Sequence, residues 1–165
     1  MRLLVVAGVL LLAACESATP PAAPSSTAPA TAAGEAGVLD SGGIGAVRLG
    51  MTVERLRATG EVGDDVTTLE FSCPVHELVA VRGWVGVQDG VAVDIRVESA
   101  ARTPEGLRIG DSRDRMREVY PDVEQTPHSF VRVLDAATRY QFFFRDAGDT
   151  LTGMGLTKEG HGCLN

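Results

Sequence analysis

Hydrophobic and polar residues alternate in the middle of the chain, which is the pattern of a β-strand with one buried face. The alternation is clearest in residues 91–97, where every second side chain is Val or Ile. An Asp89-Gly90 pair precedes this segment, and residues 84–88 precede the pair. Because Asp-Gly favours the tight turns of hairpins, the pattern predicts an antiparallel hairpin from 84 to 97.

A second hairpin is expected nearer the end of the chain, from residues 140–145 and 150–156 with a turn near 146–149. Three further β-branched and aromatic stretches predict additional strands. These strands are expected at residues 66–71, 78–82 and 129–134.

Two short helices are predicted by their capping residues. Thr52 and Ser112 each precede a helical run, and a hydroxyl at this position accepts a hydrogen bond from a free backbone N–H of the first turn. The first run stops at Gly60 and the second at Tyr120-Pro121, since proline cannot continue a helix.

The two helix-opening segments form an internal repeat at a spacing of about 60 residues. Residues 47–57 align without gaps on residues 107–117, and four of the aligned positions are identical. We therefore expect an α+β fold of two tandem copies of a short helix plus an antiparallel β-meander, at residues 38–100 and 101–165. The identical pairs are Arg48 with Arg108, Gly50 with Gly110, Arg55 with Arg115, and Arg57 with Arg117.

The repeated segments, residues 49–56 and 109–116, resemble the helix-opening segments of the β-lactamase-inhibitor-protein-like fold, which also has tandem modules. They also resemble those of small bacterial outer-membrane-assembly lipoproteins. The resemblance implies a protein that binds other proteins or small ligands with a concave sheet face and has no catalysis of its own. The second copy departs from the pattern, because Asp111 stands where the first has Met51.

The first residues predict export and lipid anchoring. Arg2 and a short apolar run read as a signal peptide over residues 1–14. Leu12-Ala13-Ala14-Cys15 resembles the lipobox of bacterial lipoproteins, which implies a lipid on the Cys15 sulfur. Residues 15–37 are rich in Ala, Pro, Ser and Thr and are expected to form a disordered tether. The expected location is the cell membrane, lipid-anchored on the extracytoplasmic side, with membrane lipid as one partner through Cys15.

Besides Cys15, the chain has two cysteines, Cys73 and Cys163. Outside the cytoplasm a single disulfide between them is the expected arrangement. The alternative is that one of them is a reactive thiol or a metal ligand, with His161 nearby.

The charge and the motifs exclude several classes of function. The formal net charge of −7 disfavours nucleic acid as a partner. The usual hydrolase, metalloprotease and nucleotide-binding motifs are missing from the sequence. His76, His128 and His161 are scattered, and the Asp64-Asp65 pair is expected in a solvated loop, so neither a metal nor a cofactor is predicted.

Superposing the two hairpins points to a candidate binding surface. The residues that alternate with the core-facing set place Trp84 and Phe143 on the opposite, otherwise polar sheet face, with Arg145 beside them. Exposed aromatic and arginine side chains are typical anchors of interfaces. In the alternative interpretation, one of the aromatic residues packs under a loop or between the halves.

The sequence thus favours a membrane-anchored extracytoplasmic lipoprotein that acts as a non-catalytic module binding an envelope protein or a small ligand. The alternative hypothesis is a cell-envelope hydrolase with a site between the two repeats. A deep cleft that gathers a histidine and a carboxylate of shifted pKa would favour the hydrolase.

Overall fold

The computed structural model describes residues 37–145 and 148–163. The predicted signal peptide, Cys15 and the tether up to residue 36 lie outside the described residues, as does part of the turn predicted at 146–149. The described part combines antiparallel sheet with two short helices and is mainly β-structure. None of its helices is long and apolar enough to cross a membrane.

The helices are α1 (Val53–Ala58) and α2 (Arg113–Val119). The strands are β1 (Gly37–Val38), β2 (Gly43–Ile44), β3 (Val47–Arg48), β4 (Val62–Asp65), β5 (Val75–Leu78), β6 (Gly83–Gln88), β7 (Val91–Val97), β8 (Ala101–Arg102), β9 (Glu124–Gln125), β10 (Phe130–Val133), β11 (Thr138–Phe144) and β12 (Leu151–Lys158).

Eight strands form one antiparallel sheet in the order β4-β5-β6-β7-β12-β11-β10-β9. Strands β7 and β12 lie at its centre, where Ile95 pairs with Leu156 and Arg96 with Gly155. Two small pairings complete the fold: β1 runs parallel to β8, and β2 pairs with β3.

Both predicted hairpins are confirmed. Strands β6 and β7 pair across Asp89-Gly90, where both residues have positive φ, as the tight turn of a two-residue hairpin requires. Strands β11 and β12 form the second hairpin. The cap predictions are also confirmed, since the hydroxyls of Thr52 and Ser112 each accept a hydrogen bond from the backbone N–H three residues later.

The predictions of strands at residues 66–71 and 78–82 are wrong. The strands in this part of the chain are β4 and β5, which lie several residues earlier. Asp64 and Asp65, expected in a loop, end β4. The Asp65 carboxylate then accepts a hydrogen bond from the Thr67 N–H at 2.9 Å, a local turn that stops the strand. In β5 a buried polar residue, His76, occupies an inward position and masks the alternation.

The main core lies between the sheet and the helices. Leu56 of α1 and Met116 of α2 are completely buried against inward side chains of the sheet such as Val85 and Phe142. A second, smaller cluster lies on the other side of the sheet around Cys73 and Cys163, with Val75, Val93 and the partly buried Phe71 and Trp84. The sheet therefore packs on both faces.

Candidate binding face

The face of the sheet that points away from α1 and α2 is here called the outer face. Strand register places Trp84 opposite Arg96, Arg96 opposite Gly155, and Gly155 opposite Gln141. Since side chains alternate along a strand, Phe143 shares this face with Gln141. The two aromatic residues singled out in the sequence, Trp84 and Phe143, thus lie on the same face.

Trp84 is only partly available on that face. The ring of Phe71, from the loop between β4 and β5, packs edge-on against it at 5.1 Å between centroids. Trp84 also borders the small cluster around the two cysteines. For Trp84 the alternative interpretation, that an aromatic residue packs under a loop, fits the structure better than a free interface anchor.

Phe143 is paired with Arg96 rather than with Arg145. The Arg96 guanidinium carbon lies 3.2 Å from the centroid of the Phe143 ring, a cation–π contact. Burial lowers the pKa of Arg96 to about 10, although the nearby carboxylates of Glu98 and Asp94 oppose the shift. Glycine at position 153 makes this contact possible, because a Cβ there would collide with the guanidinium.

Arg145 is exposed just beyond the end of β11. It lines a separate cavity with Gly148, Thr150 and Thr152. The structure therefore does not place Arg145 beside Trp84 and Phe143. The residue that packs on Phe143 is Arg96, which the sequence analysis did not select. The sequence did contain a signal for Arg96. It lies two residues after Asp94 on the predicted strand, and this spacing puts both polar side chains on the outer face.

A disulfide joins the predicted partners Cys73 and Cys163, whose Cα atoms are 5.2 Å apart. It lies directly over Gly86 on the outer face, where a Cβ would overlap the Cys163 sulfur. The Cys163 carbonyl also accepts a hydrogen bond from the Ser72 N–H at 3.0 Å. The end of the described chain is thereby fixed onto the outer face.

A cavity of about 580 Å³ opens on the outer face and is here called the groove cavity. One wall is the turn between β9 and β10, the other is the segment fixed by the disulfide, and β7 and β11 supply residues between them. The lining residues are Asp94, Thr126, Pro127, His128, Ser129, Arg139, Gln141, Phe143, His161, Gly162 and Cys163.

Hydrogen bonds hold both walls. In the turn, the Thr126 N–H donates to the Ser129 carbonyl at 2.8 Å, and the Ser129 N–H donates to the Thr126 hydroxyl at 3.0 Å. On the other wall, a ring nitrogen of His161 lies 2.9 Å from the Gln88 side-chain oxygen. The groove cavity is thus shaped before any ligand arrives.

Asp94 is the most deeply buried polar side chain in the groove cavity, with 5% of its surface exposed. Burial raises the pKa of its carboxyl group, because the charged form loses water. Hydrogen bonds from the Thr157 hydroxyl, at 3.0 Å, and from the Cys163 N–H partly oppose this shift. Asp94 was not singled out as a site residue in the sequence.

The histidines divide between the two sides of the sheet. His76 is buried on β5, and its Nδ1 has no hydrogen-bond partner among the described residues. His128 and His161 line the groove cavity. In the part of the chain that the structure describes, no three His, Cys, Asp or Glu side chains are grouped as a metal site would require.

No known protein family, curated protein or solved structure matches this chain.

Proposed function

We propose that this chain is a lipid-anchored, extracytoplasmic binding module that takes its ligand or partner on the outer face. One observation carries the proposal: the groove cavity is preformed, and a disulfide holds one of its walls. Its volume lies in the range of roughly 300–1,000 Å³ found for small-molecule sites, and it combines an aromatic side chain with several polar groups.

Two features support the anchored, exported part of the proposal. The Leu12-Ala13-Ala14-Cys15 segment resembles a lipobox, and it directly follows an apolar run too short to span a membrane. The Cys73–Cys163 disulfide suits an oxidising compartment, since thiols in the cytoplasm are kept reduced.

The proposal includes a duplicated architecture with repeats at 38–100 and 101–165. Equivalent backbone bonds support it. Before α1, the Gly50 N–H donates to the Ala92 carbonyl and the Ala92 N–H donates to Met51. Before α2, the Gly110 N–H donates to Leu151 and the Leu151 N–H donates to Asp111, all at 2.8 Å. Such matched bonds are what a duplicated architecture predicts.

Binding is favoured over catalysis by the composition of the groove cavity. Asp94 is the one carboxylate among the described residues that line it, and its oxygens already receive hydrogen bonds from the Thr157 hydroxyl and the Cys163 N–H. Glycosidases generally need a pair of carboxylates, one as acid and one as base or nucleophile.

A cell-envelope hydrolase is the second candidate, because Asp94 shares the groove cavity with His128 and His161. A carboxyl group of raised pKa in one cavity with imidazoles is a combination used in acid–base catalysis. Turnover of cell-wall material by the purified chain that is abolished in both Asp94→Asn and His128→Gln would establish this candidate in place of the binding module.

Photo-crosslinking in intact cells tests where the chain binds. A photoreactive amino acid replaces His128 at the rim of the groove cavity, and in a control variant it replaces Glu118, which is exposed on α2. We expect a ligand or protein adduct from position 128 only. Adducts of equal yield from both positions, or none from either, would contradict a binding role for the outer face.

Mass spectrometry and cell fractionation test the anchor. The wild-type chain should sediment with membranes and carry acyl groups on Cys15, whereas Cys15→Ser should be neither acylated nor retained. An unmodified Cys15 in a freely released wild-type protein would refute the anchor without affecting the binding face.

A further inference from the structure

The polar groups that line the groove cavity offer a ligand hydrogen bonds rather than unpaired charges. The Arg139 guanidinium is already paired with Glu159, with Nη1 3.2 and 3.3 Å from the two carboxylate oxygens. Burial of Asp94 disfavours its ionised form. A charged ligand would therefore find Arg139 already paired and Asp94 shifted by burial toward its neutral form.

Hydrogen-bonding capacity nevertheless remains in the lining. Of the three guanidinium nitrogens of Arg139, Nη1 is bonded to Glu159 and Nε is buried, so Nη2 is the donor left for a ligand in the described structure. The side-chain oxygen of Gln141 lies 3.4 Å from the Thr157 hydroxyl. This contact does not involve the NH₂ group of Gln141, which remains available as a donor within the described structure. In the turn between β9 and β10, the Thr126 hydroxyl already bonds to Ser129, so the Ser129 hydroxyl and the His128 ring are the polar side-chain groups that this wall offers a ligand.

Phe143 adds a flat apolar surface beside these polar groups. Phe143 lines the groove cavity, whereas Arg96, which stacks on its ring, does not. Contact with Arg96 also restricts the ring, which lowers the entropy lost when a ligand packs on it.

We propose that the groove cavity binds a neutral, polyhydroxylated ligand, namely one or two pyranose units of a saccharide. The apolar C–H face of a sugar ring packs on Phe143, and its hydroxyls bond to Gln141 and Arg139. Hydroxyl groups act as both donors and acceptors, which matches a lining that mixes amide, guanidinium, imidazole and hydroxyl groups. This inference rests on the proposed binding role of the outer face and names its ligand class.

A charged ligand fits less well. An anion would approach a chain of net charge −7, and the Glu159 carboxylate already neutralises Arg139. A cation would depend on Asp94, whose ionisation is disfavoured by burial. A neutral polar ligand avoids both costs.

Saturation-transfer NMR on the full chain tests the ligand class, in a detergent that has no sugar headgroup. The neutral probes are cellobiose and the disaccharide of N-acetylglucosamine, and the anionic probe is citrate. We expect transfer to the ring protons of at least one neutral disaccharide and none to citrate. A preference for an anionic probe, or no transfer to either disaccharide, would overturn the proposal.

Matched variants locate the binding. Gln141→Ala and Phe143→Leu should each weaken disaccharide binding at least tenfold, whereas Gln125→Ala, at an exposed strand position that does not line the groove cavity, should leave it unchanged. Thermal unfolding of each variant checks that the fold persists. Equal binding by Gln141→Ala, Gln125→Ala and the wild type would place the sugar elsewhere and overturn the assignment.

The crosslinking experiment separates this inference from the proposed function. A protein adduct from position 128 without disaccharide binding would overturn the saccharide proposal and leave the binding module intact. Failure of both experiments would count against both.

Discussion

Gly86 and Asp94 pair across β6 and β7, and each occupies a position that few other side chains could fill. Gly86 leaves the space in which the disulfide packs on the sheet. Asp94 places a carboxyl group in the floor of the groove cavity, where the fold supplies two donors but little water. Neither role follows from residue type alone, because both depend on what packs above the strand.

Gly86→Ala should destabilise the protein by about 1–3 kcal/mol, since the added methyl group would overlap the Cys163 sulfur and force the disulfide or the strand to move. Gly63→Ala in β4 is the matched control, because a Cβ there meets only ordinary contacts at 3.8–3.9 Å. Its effect should be within about 1 kcal/mol or slightly stabilising. Urea unfolding measures both, and equal losses would contradict this account.

The free energy of unfolding of Asp94→Asn, relative to that of the wild type, should increase as the pH rises. Above the ordinary pKa of 3.8, the unfolded chain loses the Asp94 proton before the folded protein does, because burial raises the pKa in the folded state. The free energy of unfolding of the wild type therefore falls as the pH increases through this window, whereas asparagine has no proton to lose.

Urea unfolding between pH 4 and pH 7 measures this difference, with Asp64→Asn, exposed at the end of β4, as the control for removing one negative charge. The stability of Asp94→Asn relative to the wild type should increase with pH more than that of the control. A relative stability that decreases with rising pH would show that the carboxylate is stabilised in the fold.

The helices begin where their caps predict because capping is local. Thr52 and Ser112 both have extended backbone conformations, with φ of −70° and −80°, and each receives a hydrogen bond from an N–H three residues later. The strands near 66–82 were mispredicted because their limits are set by non-local contacts. His76 is buried only because β5 pairs with β4 and β6.

Thr52→Ala and Ser112→Ala should each reduce the free energy of unfolding by about 1 kcal/mol, because each removes the hydroxyl that accepts an N–H of the first turn. The double variant should lose about 2 kcal/mol, since distant caps act independently. Chemical denaturation gives these values. Ser112→Asn, which keeps a side-chain oxygen that can accept the same N–H, is the control and should stay within a few tenths of a kcal/mol of the wild type; a loss as large as that of Ser112→Ala would contradict a role for the capping acceptor.

The described chain buries side chains on both faces of its central sheet, and the two faces depend on different interactions. The helix side carries the larger apolar core. The outer face has only a small apolar cluster, so the disulfide fixes the loop before β5 and the last described residues there. Loss of this cross-link should therefore affect the groove cavity more than the main core.

Cys73→Ser combined with Cys163→Ser should lower stability by about 2–5 kcal/mol, because the bond closes a separation of 90 residues and restricts the unfolded chain. Unfolding curves with and without a reducing agent test this. The wild type should approach the variant in reductant, and the variant should not respond. A wild type that is insensitive to reductant while its disulfide is shown to be reduced would contradict a stabilising cross-link.

Local signals in the sequence were sufficient for the caps at Thr52 and Ser112, the Asp89-Gly90 turn and the alternation of β7, because each depends on neighbouring residues. Alternation also placed Trp84 and Phe143 on one face of the sheet. The grouping of Asp94, Arg139 and His128 around one cavity arose only from long-range strand pairing and the cross-link at Cys163. Spacing along a chain does not encode such contacts, and for the same reason Arg96 rather than Arg145 came to pack on Phe143.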